Sequence, residues 1–171
     1  MSESRKQESE GLKQGDLRLL RTDVAQELLA SALPARFAYV AKDGTPRIIP
    51  TWFHWTGEQI VMPTFLQAPH VPHQAARLAV LRKSPDVAIT IDTEAFPPHV
   101  LLIRGKVAVT NVDGIAPEYA ASARKYLGEG PAEAYLTGID VPGTRMARIA
   151  VRPEWVGVLD FETRLPGGMN A

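Results

Sequence analysis

The chain has no cysteine in its 171 residues, which excludes disulfides, thiolate metal sites and a cysteine nucleophile. It has no run of about 18 apolar residues, the length that a membrane-spanning helix needs. Its first sixteen residues are polar and carry no apolar stretch of the secretory-signal kind. Charge of one sign is not in excess either. Nineteen Lys and Arg offset nineteen Asp and Glu, so no overall field favours nucleic acid or an anionic membrane. A glycine-rich phosphate loop of the Rossmann or P-loop kind is missing, as is a G-x-S-x-G nucleophile elbow, and hydrolysis ranks low. Histidine is scarce, with only His54, His70, His73 and His99. Pro72 interrupts the one close pair, so no metal centre is expected. These absences leave a cytoplasmic protein without nucleic-acid or membrane partners as the expectation.

What is present is a globular composition, 45% apolar and 22% charged, in a chain long enough for one domain with a core. Residues 1–15 hold too little apolar surface to offset the entropy of ordering them, and a mobile polar arm is expected there. Residues 16–165 read as a single domain and 166–171 as a loose tail. Thr22 or Asp23 caps a helix whose buried face is Val24, Leu28, Leu29 and Ala32, ended by Pro34. Short strands follow. Phe37–Ala41 turns at Asp43-Gly44 into Arg47–Trp55, which turns at Thr56-Gly57 into Gln59–Pro63. Pro50 cannot donate to a ladder, which puts it at an edge or a bulge. A basic helix starts near Pro72 and stops at Ser84-Pro85. Val87–Ile91, Val100–Val109 and Arg145–Leu159 are strand-like, and Gly114–Leu127 is helical with Gly128 after it. About six strands and two or three peripheral helices make a closed or split β-barrel the simplest arrangement.

Two arginines carry the chemistry that the residues alone suggest. Arg47 on the second strand, Arg77 on the helix, and the hydroxyls of Thr51 and Thr64 are the types that converge on a phosphate, since the guanidinium fork grips two oxygens. The bland alternative is a pair of solvated surface arginines. Trp52, Phe53, His54 and Trp55 form the aromatic cluster, and alternation puts Trp52 and His54 on one face. That face suits a flat ligand, whereas Phe53 and Trp55 suit a core or a subunit interface. Tyr119, Tyr126 and Tyr135, near Glu118, either pack or orient a substrate. Arg164 is a candidate for a substrate anion or a partner subunit.

In the order strand, strand, strand, helix, strand, with these two arginines in place, Arg36–Asp92 resembles the flavin-binding split-barrel superfamily. That superfamily includes the pyridoxamine 5'-phosphate oxidases and the deazaflavin-dependent reductases. The resemblance extends over roughly Thr22–Phe161. It implies a mainly β fold with peripheral helices (α+β), a split β-barrel of the FMN-binding type. It also implies a homodimer with two cofactors in clefts at the interface. For the cofactor it implies Arg47 with the backbone of Ile48, Ile49, Pro50, Thr51 and Trp52 along the ring. Met62, Pro63 and Thr64 lie near the phosphate and ribityl chain, and Arg77 stands eight residues before Pro85. His54 is a lesser candidate for ring or substrate contact.

This sequence departs from the superfamily's pattern in two places. Ala75-Ala76 replaces a Ser-Arg or Gly-rich turn before the helical basic residue, and Val100–Gly105 is aliphatic where the oxidase branch carries polar groups. The second departure argues against oxidation of pyridoxamine phosphate itself. The implied activity is hydride transfer to or from a small organic substrate, with FMN or the 8-hydroxy-5-deazaflavin coenzyme. The competing readings are a carrier that binds such a cofactor without turnover, and a haem-binding barrel.

Overall fold

The structure is a computed structural model that describes residues 11–161. The expectations for 1–10, for Arg164 and for the 166–171 tail lie outside the described residues. A 3₁₀ turn, Leu17–Arg21, leads into α1 (Asp23–Ala30). Thr22 is the cap: its hydroxyl accepts from the Ala25 N–H, and its own O–H donates to Leu19 O at 2.8 Å. The strands are β1 (Ala35–Val40), β2 (Pro46–Thr51), β3 (His54–Trp55), β4 (Ile60–Val61) and β5 (Thr64–Gln67). Then come α2 (Arg77–Lys83), β6 (Asp86–Asp92), β7 (Val100–Asp113), α3 (Pro117–Leu127), α4 (Glu129–Ile139) and β8 (Arg145–Leu159).

All eight strands belong to one antiparallel sheet in the order β2-β1-β6-β7-β8-β4-β3, with β5 also on β8. The two ends of that order are consecutive in the chain. β2 runs through Trp52 and Phe53 into β3, so one bent strand pairs with β1 at one end and with β4 at the other. The bend closes the sheet into a split barrel. The strand expected over Arg47–Trp55 therefore becomes two, the strand expected over Gln59–Pro63 shortens to β4, and β5 lies beyond its expected end. Pro63 brings no N–H, so the ladder on β8 passes from β4 through Met62 N–H to Ile149 O (2.8 Å) and resumes at Thr64. Six expected strands become eight through the split of Arg47–Trp55 and the added β5.

Two other expectations shift. The basic helix begins at Arg77 rather than near Pro72, and α4 is a fourth helix that follows Gly128 directly. Gly128 takes φ +83°, the left-handed value that ends α3. Pro50 holds an edge position, since it faces Arg36 of β1 and β2 has no second neighbour.

The barrel interior is filled by alternate residues, as period-two strands require. Phe37, Ile89, Ile91, Leu101, Ile103, Val156 and Val158 all point inward, joined by Phe53 from the bend. α1 seals one end with Val24, Ala25, Leu28 and Leu29. Gln14 and Gly15, counted in the polar arm, lie on β8. Gln14 donates to Val158 O (2.8 Å) and accepts from Val158 N–H (3.0 Å), and Gly15 N–H donates to Val156 O (2.7 Å).

The spine is the β7–β8 pair, in register from Val100↔Leu159 to Asp113↔Arg145, with one shift at Arg104/Gly105. At that bulge a Cβ on residue 105 would lie 2.0 Å from the carbonyl oxygen of Arg152, a clash with backbone that no rotamer change relieves. Gly105→Ala is expected to destabilise the fold by about 3 kcal/mol. Gly130→Ala, at an open helical position, is expected to be neutral or stabilising by up to about 1 kcal/mol. Urea midpoints of the two variants check this pair. Equal midpoints would remove the close approach at the bulge.

Candidate functional site

The β1–β2 hairpin and α2 enclose a cleft of about 510 Å³, lined by Tyr39, Lys42, Asp43 and Arg47 on one side and by Arg77 and Val80 on the other. The hairpin forms because Gly44 supplies φ +79° after Asp43, whose carboxylate accepts from the Thr45 N–H at 3.0 Å. That turn aims Arg47 back along the hairpin. Arg47 reaches Asp43 Oδ2 (2.9 Å), Thr45 Oγ1 and Pro46 O. The Thr45 hydroxyl and N–H, with Arg47 adding to them, hold the Asp43 carboxyl down to about 2. Arg47 is thus an ion-paired surface cation.

Arg77 is in a different situation. It is half-buried, it donates to Thr64 Oγ1 at 3.0 Å, and among the described residues no carboxylate pairs with it. Burial lowers the pKa of the guanidinium, opposed by the nearby Tyr39 phenol. A guanidinium does not give up its proton at any ordinary pH, so the burial leaves a partly desolvated cation facing a cleft.

The fold brings three of the expected residues together, with Arg47 and Arg77 lining one cleft and Thr64 bonded to Arg77. Others lie elsewhere. Ile48 and Pro50 face outward on the β2 edge, while Ile49 packs against the core. The Thr51 hydroxyl turns to Trp52 O at 3.2 Å. Met62 and Pro63 are buried and present no side chain to the cleft. Trp52 stacks on Tyr126 at 5.1 Å and 5°, within a cluster that includes Tyr119 and Tyr135. These tyrosines pack: Tyr119 and Tyr135 share a hydrogen bond of 2.7 Å, and Tyr126 donates to Leu33 O at 2.9 Å. Burial pushes the phenol pKa of Tyr119 and Tyr126 up, which keeps both protonated.

His54 lies beside this cluster. Burial and the charge of Lys125 lower its pKa, against Glu118, so the imidazole is neutral at pH 7. Glu118 is itself paired with Arg148 at 2.7 Å. Phe53 is fully buried, in keeping with its core reading, and Trp55 packs against the same core.

Lys42, which lines the cleft, and Lys125, which is buried beside Phe53, are cations that the sequence did not single out. Lys42 had a usable signal, since it precedes the Asp43-Gly44 turn and so must sit at the same end of the hairpin as Arg47. Lys125 had none: its Nζ is buried 3.5 Å from the Phe53 ring centroid and 4.8 Å from that of Tyr126, a contact between α3 and the strand bend. It has no hydrogen-bond partner among the described residues. The negative ring faces favour the cation, but desolvation dominates and brings the ammonium down to about 8. Among the described residues no three His, Asp or Glu side chains form a metal-binding group, and no helix is long and apolar enough to cross a membrane.

No protein-family model matches this chain, and no curated protein matches it. Solved structures do. An F420 reductase is 22% identical, covers 77% of this chain and 94% of its own, and has a TM-score of 0.55. A conserved hypothetical protein from Mycobacterium tuberculosis is 13% identical over 85% of this chain and 91% of its own, at 0.60. A pyridoxamine 5'-phosphate oxidase-related, FMN binding protein from Nostoc punctiforme is 15% identical over 76% and 75%, at 0.51. With the strand order, these likenesses show that the chain has the split-barrel fold that these structures share.

Lys125 yields a prediction whose sign follows from its two pKa values. The unfolded chain holds the proton up to about 10.5 and the fold only up to about 8. Below pH 8 both states are protonated and the full penalty is present. Between 8 and 10.5 the unfolded chain binds more protons, so stability rises with pH. Lys125→Met is therefore expected to raise the melting temperature at pH 7, with an advantage over wild type that shrinks towards pH 10. Thermal melts of both proteins across that range check it. A constant difference would show that Lys125 stays protonated.

Proposed function

We propose that the protein is an FMN- or deazaflavin-dependent oxidoreductase whose cofactor phosphate is held at Arg47, Thr64 and Arg77. The observation that carries this reading is Arg77, a half-buried cation with a hydroxyl partner and no carboxylate among the described residues. Desolvating a charge without a partner is unfavourable, and an anion in the cleft removes that penalty. Either cofactor, when bound, supplies the hydride chemistry.

The chain's own groups do the rest. Arg77 grips the phosphate and Thr64 fixes the direction of its fork. Arg47 is held at the mouth by Asp43 and Thr45. β2 pairs with β1 on one side only, which leaves its outward C=O groups and the Ile48 N–H open to a ring, Pro46 and Pro50 having no N–H. Asp43 is the one carboxylate lining the cleft among the described residues, and it is occupied. No unpaired carboxylate and no imidazole lines the cleft among the described residues, and hydride transfer demands none. The fold neighbours support the same reading, since two of them bear the words F420 reductase and FMN binding. A carrier that binds the same cofactor without turnover would use the same cleft, and oxidation of a reduced donor separates the two.

The exposed face of the sheet supports a homodimer. Ile48, Ala38, Ala88, Arg104 and Trp155 are paired in register across β2, β1, β6, β7 and β8, and so form one row. The two alanines leave a trench of about 450 Å³, walled by Trp155 with Arg104 stacked on it at 4.2 Å. Ile48 is 64% and Val40 50% exposed beside it. An apolar strip of this kind on an edge strand suits a second copy. Ile48→Glu is expected to convert a dimer to a monomer in sedimentation equilibrium. A wild-type protein that is monomeric at micromolar concentration would remove the dimer reading.

The cofactor is tested by the visible spectrum of the purified protein and by titration with FMN and with the deazaflavin coenzyme. Arg77→Ala is expected to weaken binding about 10- to 100-fold, the loss of a charge-assisted contact. Its melting temperature without cofactor should be unchanged or higher, because the uncompensated cation is gone. Unchanged affinity in Arg77→Ala would overturn the phosphate assignment.

A further inference from the structure

Tyr39 stands between the two arginines of the cleft. On the strand ladder it is the direct partner of Arg47, and from the other side its phenol is close enough to the Arg77 guanidinium to oppose the effect of burial on it. It is half-buried and lines the cleft, with its ring stacked on Phe37 at 5.9 Å and 29°. Stacking on a core residue restricts where the phenol can point, since a tyrosine ring turns about only two side-chain bonds.

The chain has four tyrosines, and the hydroxyls of the other three are engaged. Tyr119 and Tyr135 bond to each other at 2.7 Å, and Tyr126 donates to Leu33 O at 2.9 Å. The Tyr39 hydroxyl has no hydrogen-bond partner among the described residues. It is a neutral donor, held by its ring between two cations, whose proton no protein group takes up.

We infer that the Tyr39 O–H is a ligand of the phosphate and makes the cleft select a phosphate monoester over a diester. The inference rests on the proposed phosphate site and specifies which cofactor that site fits. Arg77 engages one of its five N–H donors with Thr64 and keeps enough for a fork, which takes two phosphate oxygens. A diester has only two non-bridging oxygens, so the fork occupies both. A monoester has a third, and Tyr39 is the donor beside the same guanidinium that takes it. An O–H on an anionic oxygen makes a short, charge-assisted bond. Being neutral, the phenol makes it without adding to the repulsion between Arg47 and Arg77. FMN is a monoester, whereas the 8-hydroxy-5-deazaflavin coenzyme carries its phosphate as a diester. Of the two cofactors the cleft therefore favours FMN.

The test titrates wild type and Tyr39→Phe, followed by ligand fluorescence, with riboflavin, FMN, riboflavin 4',5'-cyclic phosphate and the deazaflavin coenzyme. The cyclic compound keeps the ring of FMN and presents a diester. Wild type should bind FMN about tenfold more tightly than the cyclic ester or the deazaflavin coenzyme. Tyr39→Phe, which keeps the ring on Phe37, should lose about tenfold towards FMN, the loss of one hydrogen bond to a charged group. Its affinity for the other three ligands should stay within about twofold. Equal losses for FMN and riboflavin would show that the phenol acts on the flavin ring or on the fold, and would overturn the inference. Equal losses for FMN and the cyclic ester, or no loss for any ligand, would overturn it as well. In those cases the phosphate site itself stands if wild type prefers FMN to riboflavin. Tight binding of the deazaflavin coenzyme alone overturns the monoester preference and leaves the oxidoreductase reading. A wild type that binds FMN no better than riboflavin overturns the phosphate site and the role of Tyr39 together.

Discussion

Closure of the sheet at Phe53 is the constraint on which the rest of the structure depends. β2 and β3 are halves of one strand, and they hydrogen-bond to opposite ends of the sheet order. Phe53 sits at the bend with no exposed surface, where burial of its ring stabilises the closed form by roughly 2 to 3 kcal/mol. The bend leaves the β2 half as an edge that carries Arg47, and turns the β3 half under α3. Phe53 is also the floor on which Lys125 rests. One side chain therefore joins barrel closure to helix docking, and it decides which strand is left free to meet a ligand.

Two partly buried cations show different answers to the same electrostatic problem. Lys125 is desolvated by α3 and the bend, and the faces of Phe53 and Tyr126 stand in for an anion. Arg77 has only a threonine hydroxyl. Ring faces compensate a small ammonium in part, whereas a single neutral acceptor engages one of the five N–H donors of a guanidinium. The surface ion pairs contribute little by comparison, at most about 1 kcal/mol each in water. Of the two, it is Arg77, without a carboxylate among the described residues, that lines a cleft.

Much of this fold was legible because turns and periods are local. Asp43-Gly44, Thr56-Gly57, the Thr22 cap and Gly128 each mark a boundary by their own backbone preferences, and each boundary stands where expected. The strands of β6, β7 and β8 followed from β-branched runs. The splitting of Arg47–Trp55 was not legible, since a bend is visible only when the two halves find different partners. The extra helix after Gly128 was missed because a left-handed glycine ends one helix without saying whether another follows. Site legibility follows the same division. Arg47, Thr64 and Arg77 were chosen by residue type and order, and the fold assembles them. Trp52 was chosen by alternation along a continuous strand. Its ring stacks on Tyr126, and His54 lies beside the same cluster.

β2 also explains why cofactor and partner should be considered together. Successive side chains of a strand point to opposite faces. Arg47 pairs in register with Tyr39, beside the basic cleft, while its neighbour Ile48 pairs with Ala38 in the exposed apolar row. One strand thus carries the proposed phosphate anchor on one face and the proposed dimer contact on the other. It has a single sheet neighbour, β1, and no strand on its other side ties it down. A strand held from one side shifts more readily than one held from both. A partner seated on Ile48 therefore restrains the same backbone that positions Arg47, and an anion at Arg47 restrains the backbone that presents Ile48. Coupling of this kind is reciprocal by linkage. It needs no mobile lid and no residue beyond those that alternation already places on the strand.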